Sequence, residues 1–288
     1  RVLGVAPAIV YRTGGKELGT PAVEVLRSRP AEASARHWSD IATEGAASVA
    51  ALPIAAAELR QRMRTAEDAL RATGDGQWAT GDGLRAAGQS VTQAAWVAVG
   101  ATFSPRALSD VLAVAQAASL TVHGFVDAAV ATAAPLGLVK PAIVLEIGLF
   151  HVAATALECG AIVRRRRSIV SRSGGLLDIY QSWLDVVSAA MVLRTRFDPL
   201  HDAAVEQRLF GALPQLAAQA VATGSATVVL DGPAGERHEV EIARDQLAAA
   251  AAVRYRELAR CLHEPGRAGA PVAVSVPAAL LALGGLRV

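Results

Sequence analysis

The chain is poor in cysteine, lysine and aromatic residues, and carries no strong excess of either charge. Its two cysteines, Cys159 and Cys261, form no C-x-x-C pair and stand at no ligand spacing from a histidine. That argues against a disulfide framework and a structural zinc site, and predicts reduced thiols in a cytoplasmic protein. Aromatics make up only 4% of the 288 residues, so Ala, Val and Leu must fill the core. Trp38, Trp78, Trp96 and Trp183 share no period and read as core or interface anchors. Lys16 and Lys140 are the only lysines, which makes the cations nearly all arginine. With Lys+Arg 28 against Asp+Glu 26, the formal net charge is +2. Such a balance lacks the dense positive field of a nonspecific nucleic-acid binder. The one basic run, Arg164 to Arg167, is too short to supply it and reads as a solvated strand or turn.

Uninterrupted apolar runs are scarce as well. Residues 141–163 carry Glu146 and Glu158, and residues 269–288 are broken by Pro271, Ser275 and Pro277. Charge and proline at those depths predict buried strands and a following helix rather than a membrane span. The Gly- and Pro-broken opening predicts no secretory signal. What is present is apolar surface in quantity: 52% hydrophobic residues, 19% charged and a mean hydropathy of +0.34. A chain of 29.7 kDa with that composition can build one large domain or two ordinary ones.

Local pattern divides the chain further. Gly14-Gly15 between "AIVYR" and "KELG" predicts a hairpin, and a helix is expected from Pro21 to Arg29, stopped by Pro30. Leu59, Met63, Ala66 and Leu70 at helical spacing predict an amphipathic helix over 55–72. The Gly/Asp-rich loop "GDGQWATGDG" lacks EF-hand spacing and is not read as a metal site. "AAWVAVG" reads as a buried strand, followed by a helix over "RALSDVLAVAQAASL" with Ser104 as cap and Pro105 at its first position. "TVHGFVD" is a short strand and "AAVATAA" a helix start. "PAIVLEIGLFHVAATALE" reads as two strands joined at Gly148, and "CGAIVRRRRSIVSR" continues the meander. Gly174-Gly175 opens a long helix. A helix near 203–222, a hairpin in "ATVVLDGPAGERHEVEI", a helix over 244–263 and a strand "PVAVSV" complete the order.

These blocks, taken in order, resemble the actin-like ATPase superfamily, in particular the nucleotide-binding part of DnaK-type heat-shock chaperones. "WVAVGATFSPRALSDVLAVAQAASLTVHGFVDAAVATAA" is similar to the family's "VPAYF…NEPTAAA" block, and "VLEIGLFHVAATALECG" occupies the place of its second phosphate motif, "D-x-G-G-G-T-x-D-V". "SRSGGLLDIYQSWLDVV" resembles the "LGGEDFD" segment. "SATVVLDGPAGERHEVEIARDQLAAAAA" looks like the chaperone hairpin and the helix that follows it. The resemblance implies an α/β chain of two actin-like (ribonuclease H-like) lobes that close on ATP. The expected lobes are residues 1–140, incomplete at the start and with a helical insert near 21–90, and residues 141–288, incomplete at the end.

It also names the candidate site. Asp127 stands where the family places the Glu of its "N-E-P" segment; a carboxylate capping the next helix explains it equally. Glu146 reads as the acidic residue of the second phosphate motif or as a lone carboxylate at a strand end. Gly148 keeps a motif glycine, but Leu149 and Phe150 fill the next two positions and His151 replaces the Thr. His123 and His151 read otherwise as packed or partly exposed. Gly174 and Gly175, and Ser275 at the entry to the adenosine loop, complete the cofactor-binding candidates. In that loop Val276 and Pro277 replace the family's glycines. Bare backbone must approach phosphate closely, so these replacements predict no ATP and Mg²⁺ binding or only weak binding. The expected function is therefore a non-catalytic scaffold or assembly partner of other proteins. Two alternatives stay open: an ATP-hydrolysing chaperone-like protein whose first phosphate loop lies upstream of Arg1, and an actin-like polymerising protein of secretion or division assemblies.

Overall fold

The computed structural model describes residues 9–12, 15–18, 27–28, 33–43, 46–72, 93–233, 235–265 and 271–275. The chain is mixed α/β with small sheets and divides into two compact units. The first comprises Arg1–Leu26 and Ala31–Val126, the second Arg27–Pro30 and Asp127–Val288.

In the first unit, strands β1 (Ile9–Arg12), β2 (Gly15–Leu18) and β3 (Ala33–Ser34) form an antiparallel sheet in the order β2-β1-β3. Arg12 pairs with Gly15, so Gly15 belongs to the strand rather than the turn. Helices α1 (His37–Thr43) and α2 (Ala46–Ala72) follow, then β4 (Gln93–Val99), α3 (Ala107–Ala117) and β5 (Leu120–Asp127). The expected helix over 55–72 starts nine residues earlier and carries Pro53 within it. Ile41, Ala51, Ala55, Ala56, Val111 and Val114 form the core, with Val97, Phe103 and Phe125 against it. Small side chains let these helices pack where aromatics are few.

A charged group sits at the heart of this unit. Glu58 is 3% exposed and His37 1%. Glu58 accepts from Trp38 Nε1 at 2.6 Å and from Arg62 Nε at 2.9 Å and Nη2 at 2.5 Å, and His37 Nε2 lies 2.5 Å away. Burial works against its charge, but the hydrogen bond from His37 and the charge of Arg62 outweigh that and hold the carboxyl below its ordinary value.

Three sequence expectations are corrected, the first two of them in this unit. "AAWVAVG" is a strand but not a buried one, because Trp96 is 68% exposed. Its ring lies over Gly124, where a Cβ would come within 2.5 Å of it. The helix after Pro105 starts at Ala107, although Ser104 Oγ still accepts from the Ala107 N–H at 3.1 Å. It ends before Ser119, whose φ of 63° is incompatible with a continuing helix. The expected Pro21–Arg29 helix is contradicted at Arg27 and Ser28, which form a turn; its other residues, Gly14, the 74–83 loop, Trp78, Val276 and Pro277 lie outside the described residues.

The second unit holds α4 (Ala128–Ala133), β6 (Ala142–Ile147), β7 (Val152–Glu158), β8 (Arg164–Ser171), α5 (Leu176–Thr195), α6 (Ala203–Thr223), β9 (Ser225–Asp231), β10 (Arg237–Ala243), α7 (Arg244–Ala250), α8 (Ala252–His263) and β11 (Val272–Ser275). The predicted meander is present: β6, β7 and β8 are antiparallel neighbours, and β11 returns parallel to β6, giving the order β11-β6-β7-β8. The predicted hairpin is β9-β10. The single helix expected over 244–263 is two, broken at Ala251. Ala129 and Ala133 of α4 pack with Ala142, Val144 and Leu157 on one face of the sheet.

Among the described residues, α5 alone is long and apolar enough to cross a bilayer. Its Ile179, Trp183, Leu184, Val187 and Met191 are buried within the unit, and Trp183 Nε1 donates to the Leu247 carbonyl at 3.1 Å. Arg27 docks on the same helices. Its guanidinium lies 4.6 Å over the Phe210 ring and reaches Gln181 Oε1 at 2.7 Å and Glu206 Oε1 at 3.3 Å.

Candidate functional site

All seven candidate residues fall in the second unit, around the link from β6 to β7. Strand alternation puts Glu146 on the same face as Ala142 and Val144, the face that α4 covers. In register it stands between Ala153 of β7 and Ser275 of β11. Burial raises the affinity of its carboxyl for a proton, and the nearby charge of Asp127 raises it further. Among the described residues Glu146 has no hydrogen-bond or ion-pair partner.

Asp127 is differently placed. It caps α4, its Oδ1 accepting from Ala129 N at 2.9 Å and Val130 N at 3.4 Å, while Oδ2 meets Arg165 Nη1 at 2.9 Å. Its charge is thus met by a helix start and by a guanidinium.

The β6–β7 turn runs through Gly148, Leu149, Phe150 and His151. The Gly148 N–H points inward to the His151 carbonyl at 2.9 Å. The Gly148 and Leu149 carbonyls accept from the first two N–H groups of α5, those of Leu176 at 2.9 Å and Leu177 at 3.0 Å. A helix start leaves such donors free, and elsewhere they hold anions. Here the turn consumes them. Asp178 adds a carboxylate at the same place, its Oδ2 accepting from Gly174 N at 2.9 Å.

Each glycine has its own cause. Gly174 has φ +89°, which L side chains rarely adopt. Gly175 permits close approach: a Cβ there would lie 2.6 Å from Leu149 O, 2.7 Å from His151 N and 2.8 Å from Phe150 C. The His151 ring lies against Gly148, and burial lowers its affinity for a proton.

Gly148, His151, Gly174 and Gly175 therefore meet, and they meet one another. Arg165, Asp178 and the N–H groups of Leu176 and Leu177 belong to the same site and were not singled out in the sequence. The signal for Asp178 was its place four residues after Gly174, in the first turn of a helix; Arg165 gave none beyond its run. Elsewhere, His123 is exposed on β5, and both cysteines are buried free thiols. Among the described residues no cluster of three or more His, Cys, Asp or Glu side chains could hold a metal ion. No model of a known protein family and no curated protein sequence matches the chain.

Proposed function

We propose that this chain is a DnaK-like, actin-fold protein whose nucleotide position has closed, and that it serves as a non-catalytic scaffold or assembly partner for other proteins. The mixed sheet of the second unit supports the fold reading. It combines hairpins with a helical crossover to a parallel strand, the combination expected of one such lobe.

One observation carries the functional reading. The N–H donors at the position the resemblance gives to a phosphate are already spent: that of Gly148 on the His151 carbonyl, and those of Leu176 and Leu177 at the start of α5 on the Gly148 and Leu149 carbonyls. The residues present do not fit Mg-ATP: the Gly148 N–H is turned inward, and a carboxylate, Asp178, stands at the helix start. Each charge-assisted bond to phosphate that cannot form forfeits roughly 1.5–3 kcal/mol. Two or three such losses weaken binding by about a hundredfold or more.

The rival reading, ATP hydrolysis, has one observation in its favour. Glu146 and Asp127, the acidic elements that the resemblance assigns to Mg-ATP, are near enough for Asp127 to affect the Glu146 carboxyl. Isothermal titration of the full protein with Mg-ATP separates the two. The closed site predicts no saturable heat at micromolar nucleotide and no phosphate release; micromolar binding accompanied by phosphate release overturns it.

A further inference from the structure

The fold builds the arginine run into a larger surface than the sequence shows. β8 is the outer strand of its sheet, with β7 as its only strand partner among the described residues, and Arg164 to Arg167 are all exposed. Arg166 is the extra residue of a β-bulge opposite Ala156 and Leu157. Bulges and charges on an edge strand oppose addition of a further strand, so what this edge offers is its side chains.

Helix α8 brings more arginine beside them. Arg254 Nη1 reaches Ser173 Oγ at 3.3 Å. Arg260 forks onto Glu257 at 2.8 and 3.0 Å and takes Glu264 Oε2 at 2.8 Å, while Arg167 Nη2 lies 3.6 Å from the other Glu264 oxygen. Ser171 Oγ donates to Glu257 at 2.5 Å. The Arg260 and Ser171 hydrogen bonds hold the Glu257 carboxyl at about 2, so it stays ionised and keeps the Arg260 guanidinium in place. Arg164 and Arg172, near the two ends of β8, have no ion-pair partner among the described residues.

We infer that the exposed edge of β8, together with the adjoining α8, is a docking surface for an acidic segment of a partner protein. Arg164 and Arg172 carry charge that no described carboxylate meets, beside an Arg260 already fixed by Glu257 and Glu264, so acidic side chains from outside would supply the missing partners. The existing pairs are exchangeable: Arg166 and Glu158, 3.1 Å apart, are 69% and 54% exposed, and exposed pairs contribute little by themselves. A nucleic acid fits less well. β8 has no aromatic residue on which a base could stack, Tyr255 of α8 is buried, and His263 at the end of α8 is its single exposed ring. The inference rests on the reading of the chain as a protein-binding scaffold. It does not rest on the closed nucleotide turn, so the ATP titration and the test below fail separately.

The test is fluorescence anisotropy of the full protein with three labelled probes: an alternating Glu-Ala peptide, its Lys-Ala counterpart and an oligothymidine of equal length. The acidic peptide is expected to bind in preference to both others, with affinity falling as salt rises. Arg164→Glu/Arg166→Glu/Arg172→Glu is expected to weaken it about tenfold or more. Arg164→Ala/Arg172→Ala breaks no described ion pair and is expected to give a smaller loss in the same direction with an unchanged Tm. Tighter binding of the oligothymidine, no binding of the acidic peptide at low salt, or binding that a folded triple variant leaves intact would each overturn the assignment.

Discussion

Glu58 and Glu146 are both withdrawn from water, yet their affinities for protons move in opposite directions. Glu58 lies among helices of the first unit with donors from His37, Trp38 and Arg62, and its carboxyl is held below the ordinary range. Glu146 lies on a strand of the second unit with no described partner and a neighbouring negative charge, and its carboxyl is pushed above that range. Burial alone does not say what a carboxylate is for. A fully satisfied one is architecture, as its several donors indicate. An unsatisfied one is a cost that the rest of the unit must offset, and such costs concentrate where a site is or has been.

The comparison breaks most visibly at Glu58. Glu58→Ala leaves His37, the Trp38 N–H and Arg62 without their acceptor, and is expected to cost about 3–5 kcal/mol, towards the lower end because Arg62 can reach water. Urea unfolding measures it, and a loss below about 1 kcal/mol would mean the cluster is not structural. Next comes Gly175, whose added Cβ would meet backbone atoms of the β6–β7 turn. Gly175→Ala is expected to cost about 1–3 kcal/mol by overpacking. An unchanged Tm would show that the turn stands off from α5 and that its donors are available after all.

The smallest effect sharpens the contrast by its sign. Because the Glu146 carboxyl is raised above 4.5 in the folded protein, ionising it opposes folding, and stability falls as pH rises through that region. Glu146→Gln is therefore expected to raise the Tm at pH 7, with the gain vanishing once the pH is below about 4.5, where both forms are neutral. A lowered Tm at pH 7 would reveal a counter-charge on Glu146 in solution.

The second unit was the more legible in sequence. Strands rich in β-branched residues, with Gly148, Gly174 and Gly175 as punctuation, marked the meander and the start of α5 at their places. The first unit hid more. Pro53 masks the amino-terminal part of α2, because a proline reads as a helix boundary even when the helix continues through it. In "QAAWVAV" alanine and valine occupy both faces, so alternation gave no sign that Trp96 points outward. Of the candidate residues, a Glu within an apolar run and the paired glycines stand out in the sequence, whereas Arg165 and Asp178 do not. The wiring of the site was not legible. That Leu176 and Leu177 donate to the turn, or that Arg167 meets Glu264, depends on which segments the fold brings together, and spacing carries no record of that.

Arg27 sets an order on how this protein can be made. It leaves the ribosome long before the Phe210 ring and the Glu206 carboxylate that receive it have been synthesised. The second unit therefore completes itself only when an early stretch of polypeptide returns to a late one. A fragment cut to begin at Asp127 would be left with a bared aromatic ring and a carboxylate deprived of its cation.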